Sequence, residues 1–124
     1  MNKEQLLVLI DSLKISKEDF CILSSSALVL RDLIDSAGDL DIAVTNKGLE
    51  ELNKKFNLKQ KENGWYIVND NVECILNSMK DKKELYSGYY LQSLNDYFEY
   101  LKNSLREKDK IKYDIVKKEL EKMI

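Results

Sequence analysis

The sequence predicts an α/β (α+β) domain, a small mixed β-sheet flanked by helices and followed by a C-terminal helical tail. Three observations predict it. The 124 residues suffice for one hydrophobic core and are too few for two independent ones. Short apolar runs of strand length alternate with longer stretches of helical period, the pattern of packed strands and helices. No proline, repeat or low-complexity linker divides the chain, so residues 1–124 read as a single domain, with a core over about 1–79 and the tail over about 80–124.

Each element follows from local pattern. Leu6, Leu7, Ile10 and Leu13 recur at helical spacing and predict an amphipathic helix over about residues 2–14. Ser16, Glu18 and Asp19 break it, and Phe20 to Leu23 is a nearly all-apolar run expected as a buried strand. Ser24, Ser25 and Ser26 end that strand, with a helix expected over Ala27 to Ile34. Asp35 to Gly38 make a loop, and DLDIAV (Asp39 to Val44) reads as a strand in which Asp39 and Asp41 share a face. Thr45 or Asn46 is placed to cap a helix running to about Phe56. A strand strongest over Trp65 to Val68, turn residues Asn69, Asp70 and Asn71, and VECIL (Val72 to Leu76) predict a hairpin. In VECIL, Val72, Cys74 and Leu76 are expected on one face and Glu73 on the other. From Lys80 onward the reading is helical. Ser93 and Asp96 form a near capping box ahead of a stripe of Leu94, Tyr97, Phe98, Leu101 and Leu105. A last helix from about Glu107 is expected to turn Ile111, Ile115, Leu120 and Met123 inward.

Composition narrows the chemistry. The chain carries 20 basic and 22 acidic side chains, a net charge of -2, which gives no overall basic field for nucleic acid. It has no histidine, which excludes histidine bases, Ser-His and Cys-His nucleophile pairs and His-ligated zinc. Cys21 and Cys74 lie 53 positions apart inside apolar runs and read as buried small hydrophobes. The first residues fail as a signal peptide, and no apolar run reaches the roughly 18 residues of a membrane span. A cytoplasmic protein with no membrane partner is the expectation.

Three acids at strand positions carry the functional reading. Asp39, Asp41 and Glu73 are hard oxygen ligands, and two on one strand face are close enough to share divalent ions. A DxD pair is more often solvated or capping, and Glu73 is informative only if its face is covered. Ser24 and Ser25 offer hydroxyls and backbone amides at a strand-to-helix junction, an arrangement that serves N-capping and also suits a phosphate. Taken together the two features suggest metal-bound phosphate, because a nucleoside triphosphate of about four negative charges is repelled by three bare carboxylates.

SSSALVLRDLIDSAGDLDIAV resembles the core signature of the nucleotidyltransferase superfamily of the DNA polymerase beta type. The shared features are a small-residue pair after a strand, a helix opening on Ala-Leu, and an acid-hydrophobic-acid strand about a dozen residues on. VECIL is similar to the strand bearing that family's third acid. SLNDYFEYLKNSLREKDKIKYDI resembles the helical region of small bacterial members, with its Arg-x-Lys-Asp step and further Asp. The resemblance implies a nucleotidyltransferase-like fold and transfer of a nucleoside monophosphate from a nucleoside triphosphate to an acceptor hydroxyl or phosphate oxygen, with release of pyrophosphate. It implies Asp39 and Asp41 on two Mg2+ ions, Glu73 on the ion that activates the acceptor, and Ser24 and Ser25 against the nucleotide. Ser25 fits the family's Gly-Gly or Gly-Ser pair; Ser24 stands where that pair has glycine, whose backbone approaches phosphate unobstructed. The acceptor is left open among a small molecule, a protein and an RNA end. The alternative is a catalytically weakened member that senses nucleotide or binds a protein partner, as an antitoxin-like module would.

Lys102, Arg106, Lys108, Lys110 and Lys112 make the tail locally basic and read first as a solvated, ion-paired helix pair, with Arg106 or Lys108 open to triphosphate. Tyr86, Tyr89, Tyr90, Tyr97 and Tyr100 cluster, with Tyr97 expected in the core and YSGYY as a mobile loop. Trp65 is expected to pack on the sheet.

Overall fold

In the computed structural model, which describes residues 1–123, five helices surround one seven-stranded mixed sheet. The α/β class is as the sequence predicts. Helix α1 (Lys3–Ser12) opens on a capping box between Asn2 and Gln5. A 3-10 turn (Lys17–Asp19) leads into β1 (Phe20–Ile22), fully buried as its apolar run requires. Helix α2 (Ser24–Leu30), β2 (Leu40–Val44) and α3 (Asn46–Lys55) follow. Then come β3 (Lys59–Gln60), β4 (Tyr66–Asn69) and β5 (Val72–Leu76). The chain continues through β6 (Lys83–Tyr86), β7 (Tyr89–Gln92), α4 (Leu94–Lys102) and α5 (Glu107–Lys122).

The strand order is β3-β4-β5-β2-β1-β7-β6. Strand β1 runs antiparallel to β2 and parallel to β7, while β2 runs parallel to β5 with Asp41 opposite Glu73. Pleating sends alternate residues to opposite faces. Ile22, Leu40, Ile42, Val44, Val72 and Cys74 therefore join Leu6 and Ile10 of α1, Val29 of α2 and Leu52 of α3 in the main core. Cys21, Leu23, Ala43 and Ile75 point the other way, into a smaller cluster with Met79 and Trp65. A third cluster docks α4 and α5 on α2 through Leu28, Leu94, Tyr97, Leu101 and Val116.

Several expectations are corrected. The tail is not helical from Lys80: β6 and β7 form a hairpin on the sheet edge, and helix begins only at Leu94. YSGYY is the turn of that hairpin. Ser87 and Gly88 have φ of 50° and 90°, the two left-handed central residues of the tight turn whose twist matches a hairpin. Helix α2 starts at Ser24, three residues early, and stops at Leu30, so the serines form its first turn. Asp39 precedes β2 instead of lying in it. Leu76 is 47% exposed at the end of β5, Leu105 is 95% exposed in the α4–α5 connection, and Ile111 and Met123 face solvent. Leu120 packs inward as expected, with Val116 and Tyr113 making the other α5 contacts, Tyr113 stacking on Phe98 at 5.0 Å. The Thr45 and Ser93 caps form as expected, accepting from the amides of Gly48 and Asp96.

Candidate functional site

The site is built where β1 hands over to α2. Beyond Ile22 the antiparallel ladder ends as the Leu23 N–H donates to the Asp41 carbonyl at 2.9 Å. The Ser26 hydroxyl donates to the Asp39 carbonyl at 2.8 Å. These two bonds fix the serine turn against both aspartates. Ser24 adopts φ of 54°, a left-handed conformation that favours glycine, and its N–H donates to Oε1 of Gln92 at 2.9 Å. Gln92 in turn donates to Asp96 at 2.7 Å. No sequence signal marks Gln92, because it reaches Ser24 only through the parallel pairing of β1 with β7.

Asp41 and Glu73 are register partners on parallel strands, so both side chains leave the same face. Burial first, then the neighbouring Glu73 and Asp39 carboxylates, push the Asp41 carboxyl above its ordinary range. Glu73 is turned toward Lys61, whose ammonium lies 3.0 Å away. Asp39, Asp41, Ser24 and Ser25 all line one cleft of about 860 Å³, and Glu73 stands next to it without lining it. Among the described residues, no three acidic or cysteine side chains close on one point as a ready metal-ligand cluster. The donor set is nonetheless all carboxylate oxygen, the chemistry that suits Mg2+, and a cation would relieve the crowding of charge at Asp41.

Basic side chains also line the cleft, together with Asp96 and Glu99 of α4. Arg106, Lys108 and Lys112 reach the cleft from the α4–α5 connection and the first turns of α5. Arg106 is held from two sides: Nε donates to Asp109 at 2.8 Å and Nη2 to the Tyr100 hydroxyl at 2.9 Å. Asp109 is 1% exposed and also accepts from the Ser104 hydroxyl at 2.6 Å. Burial acts to raise its carboxyl, but the Ser104 and Arg106 hydrogen bonds and the Arg106 and Lys112 charges outweigh it and hold it low. Tyr97 is in the core as expected, and burial pushes its phenol up to about 12 against a smaller opposing effect of Ser25. Tyr100 stacks on it at 5.9 Å. Both cysteines are free and buried, their thiols pushed by burial up to about 12 for Cys21 and about 11 for Cys74. Neither is a nucleophile at neutral pH.

Comparison of the chain with protein-family models, curated proteins and solved structures gives no match. Among the described residues, no helix is long and apolar enough to cross a membrane.

Proposed function

We propose that the cleft is the site of a metal-dependent nucleotidyltransferase, which moves a nucleoside monophosphate from a nucleoside triphosphate to an acceptor and releases pyrophosphate. The observation that carries this reading is the polarity of the cleft. Asp39 and Asp41, bonded through their carbonyls to a serine turn, share the cleft with Arg106, Lys108 and Lys112. A ligand that satisfies both sets carries cations for the acids and several negative charges for the basic groups, as a metal-bound triphosphate does. The left-handed Ser24 supports the likeness to a nucleotidyltransferase turn, since the resemblance puts a glycine at that position.

Mg2+, when bound, supplies neutralisation of the attacking and leaving oxygens. Asp39 and Asp41 are the residues that would hold it, with Glu73 alongside. The basic groups draw charge from the leaving pyrophosphate, and their aim is set by Asp109 and Tyr100 through Arg106. In the transfer, the acceptor oxygen bonds to the α-phosphorus as the α–β phosphoanhydride bond breaks. The acceptor proton passes to the Glu73 carboxylate once its ion pair with Lys61 opens toward the cleft.

A second reading, a catalytically weakened nucleotide-sensing or protein-binding module, is favoured by two observations. The Ser24 amide is already taken by Gln92, and Glu73 is already paired with Lys61. Calorimetric titration with each nucleoside triphosphate, with and without Mg2+, followed by incubation of the labelled nucleotide with small-molecule, protein and RNA acceptors, separates the two. The transferase reading expects Mg2+-dependent binding that Asp41→Asn removes, and label transferred to one acceptor class. Binding indifferent to both Mg2+ and Asp41→Asn sinks it.

A further inference from the structure

We infer that the cleft has a second compartment, an acceptor subsite floored by Trp65, which takes a small hydroxyl compound built from one planar ring and one anionic group. The inference deepens the transferase reading and rests on it. Its floor follows from register. Trp65 immediately precedes β4, whose first residue Tyr66 pairs with Cys74, and the next residue of β5, Ile75, pairs with Ala43. Trp65 and Ile75 pack with Met79 on the cleft face, beside the row that holds Glu73 and Asp41. Two rows on one face are two residues apart, about 6 to 7 Å along a strand. That is the span of a six-membered ring with its substituents. A ring lying on Trp65 and Ile75 therefore carries a hydroxyl to the acids.

The polar groups of this compartment are donors. The Asn77 carbonyl oxygen is used by the Met79 amide at 2.9 Å, which leaves its NH2 for a ligand. Among the described residues Lys82 forms no ion pair and the Trp65 indole N–H no hydrogen bond. These three donors favour an anionic or oxygen-rich substituent. The rim is preformed: Asn77 N–H donates to Val44, Lys82 N–H to Met79 and Ser93 N–H to Lys82, each at 2.9 Å. The chain's net charge of -2 supplies no field to hold a polyanion, so a small acceptor is favoured over a nucleic-acid strand.

Trp65 is the sole tryptophan, so its fluorescence reads this compartment directly. The test titrates the whole protein with 4-hydroxyphenylacetate (ring, hydroxyl and anion), 4-hydroxybenzyl alcohol (ring without anion) and glycerol 3-phosphate (anion without ring). Binding of Mg2+ and a non-hydrolysable ATP analogue is measured in parallel by calorimetry. Saturable quenching by 4-hydroxyphenylacetate with a Kd on the order of 1 mM is expected, the other two binding at least about tenfold more weakly. Lys82→Ala should erase the preference for the anionic phenol and leave the nucleotide titration unchanged. Equal response to all three probes, no quenching by any, no effect of Lys82→Ala, or stronger competition by an RNA oligonucleotide overturns the inference. Nucleotide binding without phenol binding refutes the subsite alone; phenol binding without nucleotide binding removes the transfer reading and leaves the compartment standing.

Discussion

Ser24→Gly tests whether the serine turn has glycine geometry. Ser24 sits at φ of 54°, where an L side chain costs about 1 kcal/mol relative to glycine. Its hydroxyl enters none of the described hydrogen bonds, and the bond that anchors the turn comes from its backbone N–H, which glycine keeps. Replacement by glycine therefore relieves about 1 kcal/mol of strain. The freer unfolded chain costs about 0.4 to 1 kcal/mol in return. The net change is near zero, a Tm within about 2 °C of the parent. Ser24→Val is the control: a β-branched residue at positive φ adds about 1 kcal/mol or more of strain and should lower Tm by about 4 °C or more. Thermal unfolding followed by far-UV circular dichroism measures both. A fall of more than about 5 °C for Ser24→Gly, or an unchanged Tm for Ser24→Val, would refute the reasoning.

Three further outcomes are expected. Asp41→Asn removes one of three crowded carboxylates, so at neutral pH without Mg2+ the variant should melt slightly above the parent; a lower Tm by differential scanning fluorimetry counts against the crowding. Asp109→Asn should cost about 2 to 3 kcal/mol at pH 7, because the buried charge takes hydrogen bonds from Ser104 and Arg106. Since the folded carboxyl is held below its ordinary 3.8, that stability is present above pH 3.8 and is lost as pH falls through the lower folded value. Urea melts of parent and variant should therefore differ at pH 7 and draw together as pH falls below 3.8, and a constant difference would contradict the ion pairing. Gly48→Ala places a Cβ 2.6 Å from the Asp19 carbonyl, so α3 must shift; a loss of about 1 to 3 kcal/mol is expected by guanidinium denaturation, and a neutral result would show that the approach is looser than described.

The elements that sequence pattern made legible are those decided within a few residues. The alternation in VECIL, the Asn-Asp-Asn turn before it, the Thr45 and Ser93 caps and the stripe on α1 each state their conformation locally. The β6–β7 hairpin is not legible from periodicity, and the Ser87–Gly88 pair between two tyrosines is its one local signal. KELY and YYLQ tolerate helix or strand equally, and only pairing of β7 beside β1 selects strand. Leu105 and Ile111 fit a helical stripe yet lie exposed, because α5 docks through Val116, Tyr113 and Leu120.

The sequence by itself determined that strands and helices combine in an α/β fold and that no histidine is available to it, for both depend on residue type and short-range pattern. Tertiary structure decided the rest. It brought Glu73 into register with Asp41 and turned it to Lys61, placed Gln92 on the Ser24 amide, and brought Arg106, held by Asp109, to the same cleft. Those contacts join segments as far as 68 residues apart, and strand order and helix docking, which no local pattern encodes, bring them together.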